Sequence, residues 1–139
     1  MNFTIYKTSN GEIIQSGHCP DSDYLLQQIP EGCAIIALES KTNSQYVENE
    51  TVFDKPAQPT QFHVFDYESK QWVENADIAK QYVISQRNTL LYQSDWTQIS
   101  NNPLTQEKQQ QWADYRQALR DITMQSDYPF NVIWPTQPE

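Results

Sequence analysis

The chain has 139 residues, of which 37% are hydrophobic and 12% aromatic, enough for one ordinary domain or for a small domain with an added helical module. Its formal net charge of −9 argues against a binder of nucleic acid or anionic membranes, because both functions need basic patches. The sequence has no apolar run near the ~20 residues of a membrane span and no signal-peptide pattern at its start. We therefore expect a protein that is made and used in the cytoplasm.

The first elements are predicted to form a β-hairpin. Residues 3–7 alternate apolar with polar side chains, and residues 12–18 resume extended character. Asn10-Gly11 between them is typical of a tight turn, because both residue types tolerate the backbone conformations that such turns require.

A short helix and a strand follow. Residues 20–23 offer a cap for one or two helical turns over residues 24–29, since an Asp or Ser side chain can accept a bond from a first-turn N–H group. The continuous apolar run 33–38 has strand length and predicts a centrally buried strand. A second hairpin is predicted from two more extended segments, 45–47 and 51–53.

Residues 55–60 are predicted to be a linker, because their two prolines favour an extended and semi-rigid chain. After them, residues 61–66 and 70–73 predict a third hairpin. We therefore expect an α+β fold with a β-rich N-terminal domain at residues 1–54. The hairpin and a helical module would form a second part at residues 61–139.

A helical pattern begins at Asp77 and resumes after Thr105, which can cap the second of two helices. The spacing in the second helix places four apolar residues on one face: Trp112, Tyr115, Leu119 and Ile122. Residues 131–134 are predicted to be extended, since Pro135 disfavours a helical residue before it. An extended apolar segment needs a surface to pack on, and we expect the Trp112 face to provide it.

Large aromatic and arginine side chains of this helical region are the candidate site residues: Trp96, Trp112, Tyr115, Arg116, Arg120 and Trp134. Two interpretations stay open at this point. They form a partner-binding patch, because Trp, Tyr and Arg anchor protein interfaces, or they form the core of the module itself. Arg116 and Arg120 stand one helical turn apart and can hold Asp95, Asp121 or a carboxylate of a partner.

Metal binding and catalysis have little support in the sequence. The residues with zinc-like ligand atoms are His18, Cys19, Cys33 and His63, and they lack the paired spacing of structural zinc sites. We expect the two cysteines to be small core residues instead. No nucleophile motif or glycine-rich phosphate loop is present, and we predict no enzyme, metal or cofactor.

The residues that carry a family resemblance lie in the helical region, and together they form an ordered series of tryptophan, arginine and proline positions. They are residues 87–91, Asp95-Trp96, Pro103-Leu104-Thr105, the pattern from Trp112 to Ile122, and Val132 to Pro135. This series resembles the phage tail assembly chaperone family over residues 85–136, and it also looks like the C-terminal part of tail fibre assembly proteins.

The resemblance implies a non-enzymatic phage or prophage protein that binds a tail-fibre or tail-tip protein and assists assembly. It would act in the host cytoplasm, with an oligomeric state that can match that of its partner. The alternative is a permanent subunit of the tail or of the fibre attachment region, which would be found in the virion tail. The acidic charge also allows an inhibitor of a host enzyme, although no motif supports that reading.

Overall fold

The computed structural model describes residues 1–139 and separates them into two compact units, Met1–Val73 and Glu74–Glu139. The first unit contains seven strands and one short helix in three small sheets. They are β1 Asn2–Lys7, β2 Ile13–His18, α1 Ser22–Gln27, β3 Cys33–Ile36, β4 Gln45–Glu48, β5 Thr51–Asp54, β6 His63–Asp66 and β7 Gln71–Glu74, whose last residue falls in the second unit. The predicted α+β class is confirmed.

Strand β1 is the centre of the N-terminal sheet, because it pairs antiparallel with both β2 and β3. Its four middle residues are all buried, so both of its faces are covered. Phe3 and Ile5 pack with Leu25 of α1 on one face, while Tyr6 packs with other apolar side chains on the opposite face. Alternating side chains on a strand thus enter two separate clusters.

The apolar run 33–38 forms the predicted strand, but the central position predicted for it is wrong. β3 is an edge strand whose residues are all half-buried, and Leu38 beyond it is 52% exposed. A continuous apolar run does not distinguish an edge strand from a central one when a loop or helix also covers part of its surface. The predicted core role of Cys19 and Cys33 agrees with the structure, since both are free thiols that pack against the Phe3 cluster.

Five aromatic rings connect the second and third hairpins of the first unit. Tyr46 stacks on Phe53 at 5.7 Å and meets Phe65 at 5.5 Å between ring centroids. Phe65 also makes edge contacts with the rings of Tyr67 and Trp72. The hairpin of β6 and β7 therefore lies almost entirely in the first unit, whereas the sequence grouped it with the helices. The division at residues 55–60 stays a prediction about how the chain folds.

The second unit is a helical hairpin with an extended tail. Helix α2 spans Ala76–Gln93 and α3 spans Gln106–Arg120, followed by a 3-10 helix and then by residues 131–139 without helix or strand. Thr105 caps α3 as predicted, because its hydroxyl accepts a hydrogen bond from the Lys108 N–H group. No helix of the chain is both long and apolar enough to cross a membrane.

Gly11 and Gly32 provide a matched test of the first unit, since both have a positive φ, at 75° and 76°. A Cβ atom at Gly11 would lie 1.8 Å from the Val47 carbonyl oxygen, whereas one at Gly32 would meet nothing within 4 Å. Gly32→Ala should lower the free energy of unfolding by about 1 kcal/mol, from backbone strain alone. Gly11→Ala should lower it by about 3 kcal/mol or more, because the backbone of β4 must also move.

Urea unfolding followed by circular dichroism measures both effects. Equal losses for the two variants would mean that the turn at Gly11 does not pack closely on β4.

Candidate functional site

The six predicted site residues divide into a buried group and an exposed group. Trp112, Tyr115 and Arg116 are between 5% and 8% exposed and belong to the core of the helical unit. Trp134 is half-buried. Only Trp96, at 45% exposure, and Arg120 present much of their surface to solvent.

The buried aromatic residues form the main core of the unit. Trp112, Tyr115 and Leu119 lie on one face of α3, as their spacing predicts. Four partly buried apolar residues pack against them: Leu90, Leu91, Leu104 and Trp134. The rings of Trp112 and Tyr115 meet edge to face with their centroids 5.6 Å apart, which is a favourable arrangement for aromatic pairs. The predicted packing of the tail on the Trp112 face is therefore present in the structure.

Burial raises the pKa of the Tyr115 hydroxyl above its usual value. A raised pKa means that the folded state favours the neutral phenol over the phenolate. This contribution to stability is complete below the pKa of an unfolded tyrosine and is lost as the pH rises through the higher folded pKa.

Arg116 fixes the end of α2 to the middle of α3. Its Nη1 donates to the Leu91 carbonyl at 2.6 Å and to Ser94 Oγ at 2.8 Å, and its Nη2 donates to Asp95 Oδ1 at 2.8 Å. Ser94 is itself buried and donates its hydroxyl to the carbonyls at the end of α2. Arg116 thus holds Asp95, one of the acceptors proposed for it from the sequence. Its guanidinium stabilises the elbow, residues 94–105, which connects α2 to α3.

Arg120 has a different environment. It is exposed, and no hydrogen bond or ion pair within the chain engages its guanidinium, so all of its donors are available to a partner. Asp121, which the sequence offered as an acceptor for the arginines, accepts instead from the Gln117 side chain at 3.1 Å. The two arginines therefore lie on the same helix, but only Arg116 stabilises the fold through hydrogen bonds.

Trp96 lies in the 3-10 helix Asp95–Gln98, directly after the residue that Arg116 holds. One part of its ring contacts Trp112 edge to face at 5.9 Å, while 45% of the residue stays exposed. An indole that is held on one side and open on the other has little conformational entropy to lose on binding, and this suits an interface anchor.

Sequence reasoning missed several residues that shape this unit. Ser94 is buried and donates its hydroxyl to the end of α2. The Gln125 side chain forms two hydrogen bonds with the backbone of the tail at Ile133. Neither residue belongs to an apolar period or a motif, so no pattern in the sequence marks it. The exposed face of α2 was also missed, where Ile84 and Tyr92 lie beside uncharged polar side chains along a shallow groove.

The residues with zinc-like ligand atoms are not drawn together. The structure contains no group of three His, Cys, Asp or Glu side chains that could hold a metal ion. His18 instead bonds the Asn2 side chain, and His63 bonds the Thr60 hydroxyl. That the protein binds no metal stays a prediction.

Comparison with known proteins finds a family match in the C-terminal part of the chain. Residues 80–139 match the family model described as phage tail assembly chaperone protein. The resemblance predicted from the tryptophan, arginine and proline positions is thereby confirmed for this part of the chain. No curated protein and no solved structure matches the chain.

Replacing Trp134 tests whether the tail contributes to the core. Trp134→Ala should lower the free energy of unfolding by about 2–4 kcal/mol, because a half-buried indole leaves the Trp112 cluster partly open. Thermal unfolding followed by tryptophan fluorescence measures the change. The exposed tail residue Ile133, at 80% exposure, provides the control, and Ile133→Ala should change little. A Trp134→Ala variant that melts like the parent would show that the tail is not part of the core.

The two arginines provide a second test. Arg116→Ala should lower the free energy of unfolding by about 2–3 kcal/mol, since it removes three hydrogen bonds, one of them to the buried Ser94 hydroxyl. Arg120→Ala should change it by less than about 0.5 kcal/mol, because the side chain is exposed. Denaturant titrations of both variants check the difference, and similar losses would contradict the separate roles of the two side chains.

Proposed function

We propose that this protein is a non-enzymatic assembly chaperone that binds a phage tail or tail-fibre component through its helical unit. The premise is that residues 80–139, nearly the whole of that unit, match the phage tail assembly chaperone family, which supports a role in phage tail assembly. The proposal adds to this role a direct contact with one tail component, namely a fibre or tail-tip protein.

The observation that carries the proposal is that, of the six candidate residues, Trp96 and Arg120 are exposed, whereas Trp112, Tyr115 and Arg116 are buried in the core of the unit. Trp96 is positioned by its contact with Trp112, and Arg120 is free of internal partners. Tryptophan and arginine are the residue types that most often dominate interface energetics. The guanidinium of Arg120 can bind a carboxylate of the partner with two hydrogen bonds.

The buried side chains support a binding role rather than a catalytic one. The guanidinium of Arg116 is committed to Leu91, Ser94 and Asp95 within the unit. The only carboxylate in its network, that of Asp95, is 61% exposed. We therefore place the function in the protein's surface, in the host cytoplasm while tails are assembled. A permanent place in the virion tail is the alternative.

Co-expression with the fibre or tail-tip protein of the same phage tests the contact. Arg120→Ala and Trp96→Ala should each reduce capture of the partner at least tenfold while the circular dichroism spectrum stays unchanged. Lys80→Ala is the matched control, because Lys80 is an exposed cation of the same unit whose distance to the nearest carboxylate, Asp77, is 3.9 Å. Full capture by both folded variants would place the contact elsewhere, and no capture by the parent chain would contradict the proposed function.

A further inference from the structure

The C-terminal tail lies on the helical unit in the manner of a bound peptide. Residues 132–139 form no helix and belong to no sheet, and their backbone is held by bonds to side chains, whereas the Asn131 N–H group donates to the Asp127 carbonyl at 3.0 Å. The Gln125 amide donates to the Ile133 carbonyl at 2.8 Å, and the Gln125 carbonyl oxygen accepts from the Ile133 N–H group at 2.7 Å. Farther along, Lys108 Nζ donates to the Glu139 carbonyl at 2.9 Å.

The paired bonds from Gln125 go to main-chain atoms, so they do not depend on the side chain at position 133. That side chain is 80% exposed and makes little contact with the unit. A primary amide that donates to and accepts from one residue of an extended chain reproduces the pairing of a neighbouring strand. Any extended peptide can make the same two bonds.

The next residue supplies the selectivity. Trp134 turns towards the unit and packs against the cluster of Trp112, Tyr115 and Leu119. Pro135 behind it is also half-buried, and proline favours the extended conformation before it. The contacts of the tail are thus those of a large aromatic residue followed by proline, while the side chain of the preceding residue, Ile133, is exposed.

We propose that this surface is a peptide-binding groove. The chain's own C-terminal tail occupies the groove at rest, and an extended aromatic–proline segment of the partner, a component of the phage tail, occupies it during assembly. The inference rests on the proposed function for the existence of that partner. The tail itself shows which chemistry fits, because an incoming segment of the same kind makes the same contacts that the resident segment gives up. Exchange is favoured by the exposed position of the bonds from Gln125 and Lys108, which water can replace on release.

The probe is a synthetic peptide of residues 131–139 added to the full chain carrying Trp134→Ala, whose own tail has lost its anchor. At 100 times its dissociation constant, the peptide should raise the melting temperature of this variant by several degrees, since it binds only the folded state. The same peptide with alanine in place of tryptophan should not raise it. Because the measurement is a gain in stability when the peptide is added, the test works even if the variant is largely unfolded without the peptide.

Gln125→Ala in the Trp134→Ala chain should weaken peptide binding roughly tenfold, through the loss of both bonds to the peptide backbone. Gln117→Ala is the matched control, because the Gln117 amide bonds the Asp121 side chain and not the tail. The proposed groove would be contradicted if the tryptophan peptide did not raise the melting temperature of the Trp134→Ala chain. It would also be contradicted if Gln125→Ala and Gln117→Ala bound the peptide equally well.

Competition then tests the link to the partner. In the capture experiment with the parent chain, a saturating amount of the tryptophan peptide should reduce recovery of the fibre or tail-tip protein at least tenfold, and the alanine peptide should leave it unchanged. Undiminished recovery would overturn this inference while the proposed function stands. If the parent chain captures no tail component in the absence of peptide, the proposed function fails, and the partner's use of the groove fails with it.

Discussion

The guanidinium of Arg116 joins the end of α2 to the middle of α3, and the arrangement of the helical unit follows from this connection. Its bonds to Leu91, Ser94 and Asp95 attach the start of the elbow to α3. With the elbow held there, Trp96 meets Trp112, and the apolar residues of both helices enclose one aromatic cluster. Burying a charge is costly unless hydrogen bonds satisfy it, and the three acceptors offset that cost for Nη1 and Nη2, while the buried Nε has no partner.

The large candidate side chains of the helical unit are divided between its core and its surface. Trp112 and Tyr115 are used in packing, and Trp134 closes the cluster from the tail. Trp96 and Arg120 remain at the surface. The first unit differs, because its rings pack in a cluster of their own with Lys55 above the Phe65 and Tyr67 rings. The family match lies in the helical unit, and this supports our proposal that the helical unit contacts a phage tail component.

Local chemistry made much of the fold predictable. The Asn10-Gly11 turn, the Thr105 cap and the spacing from Trp112 to Leu119 each have a direct structural counterpart. Predictions failed where the outcome depended on residues distant in sequence. The order β2-β1-β3 places the apolar segment of β3 at an edge of its sheet. The separation of Arg116 from Arg120 depends on where the elbow runs, and helical spacing alone does not contain that information.

Quantitative mass spectrometry, applied both to purified virions and to tail intermediates from the same cells, tests the chaperone account most directly. A chaperone joins its partner during assembly and leaves before the particle is complete. The account predicts that this chain accompanies a fibre or tail-tip protein in the intermediates and is absent from finished particles. Recovery of the chain from purified virions in a fixed ratio to the tail proteins would contradict it and would identify a structural subunit instead.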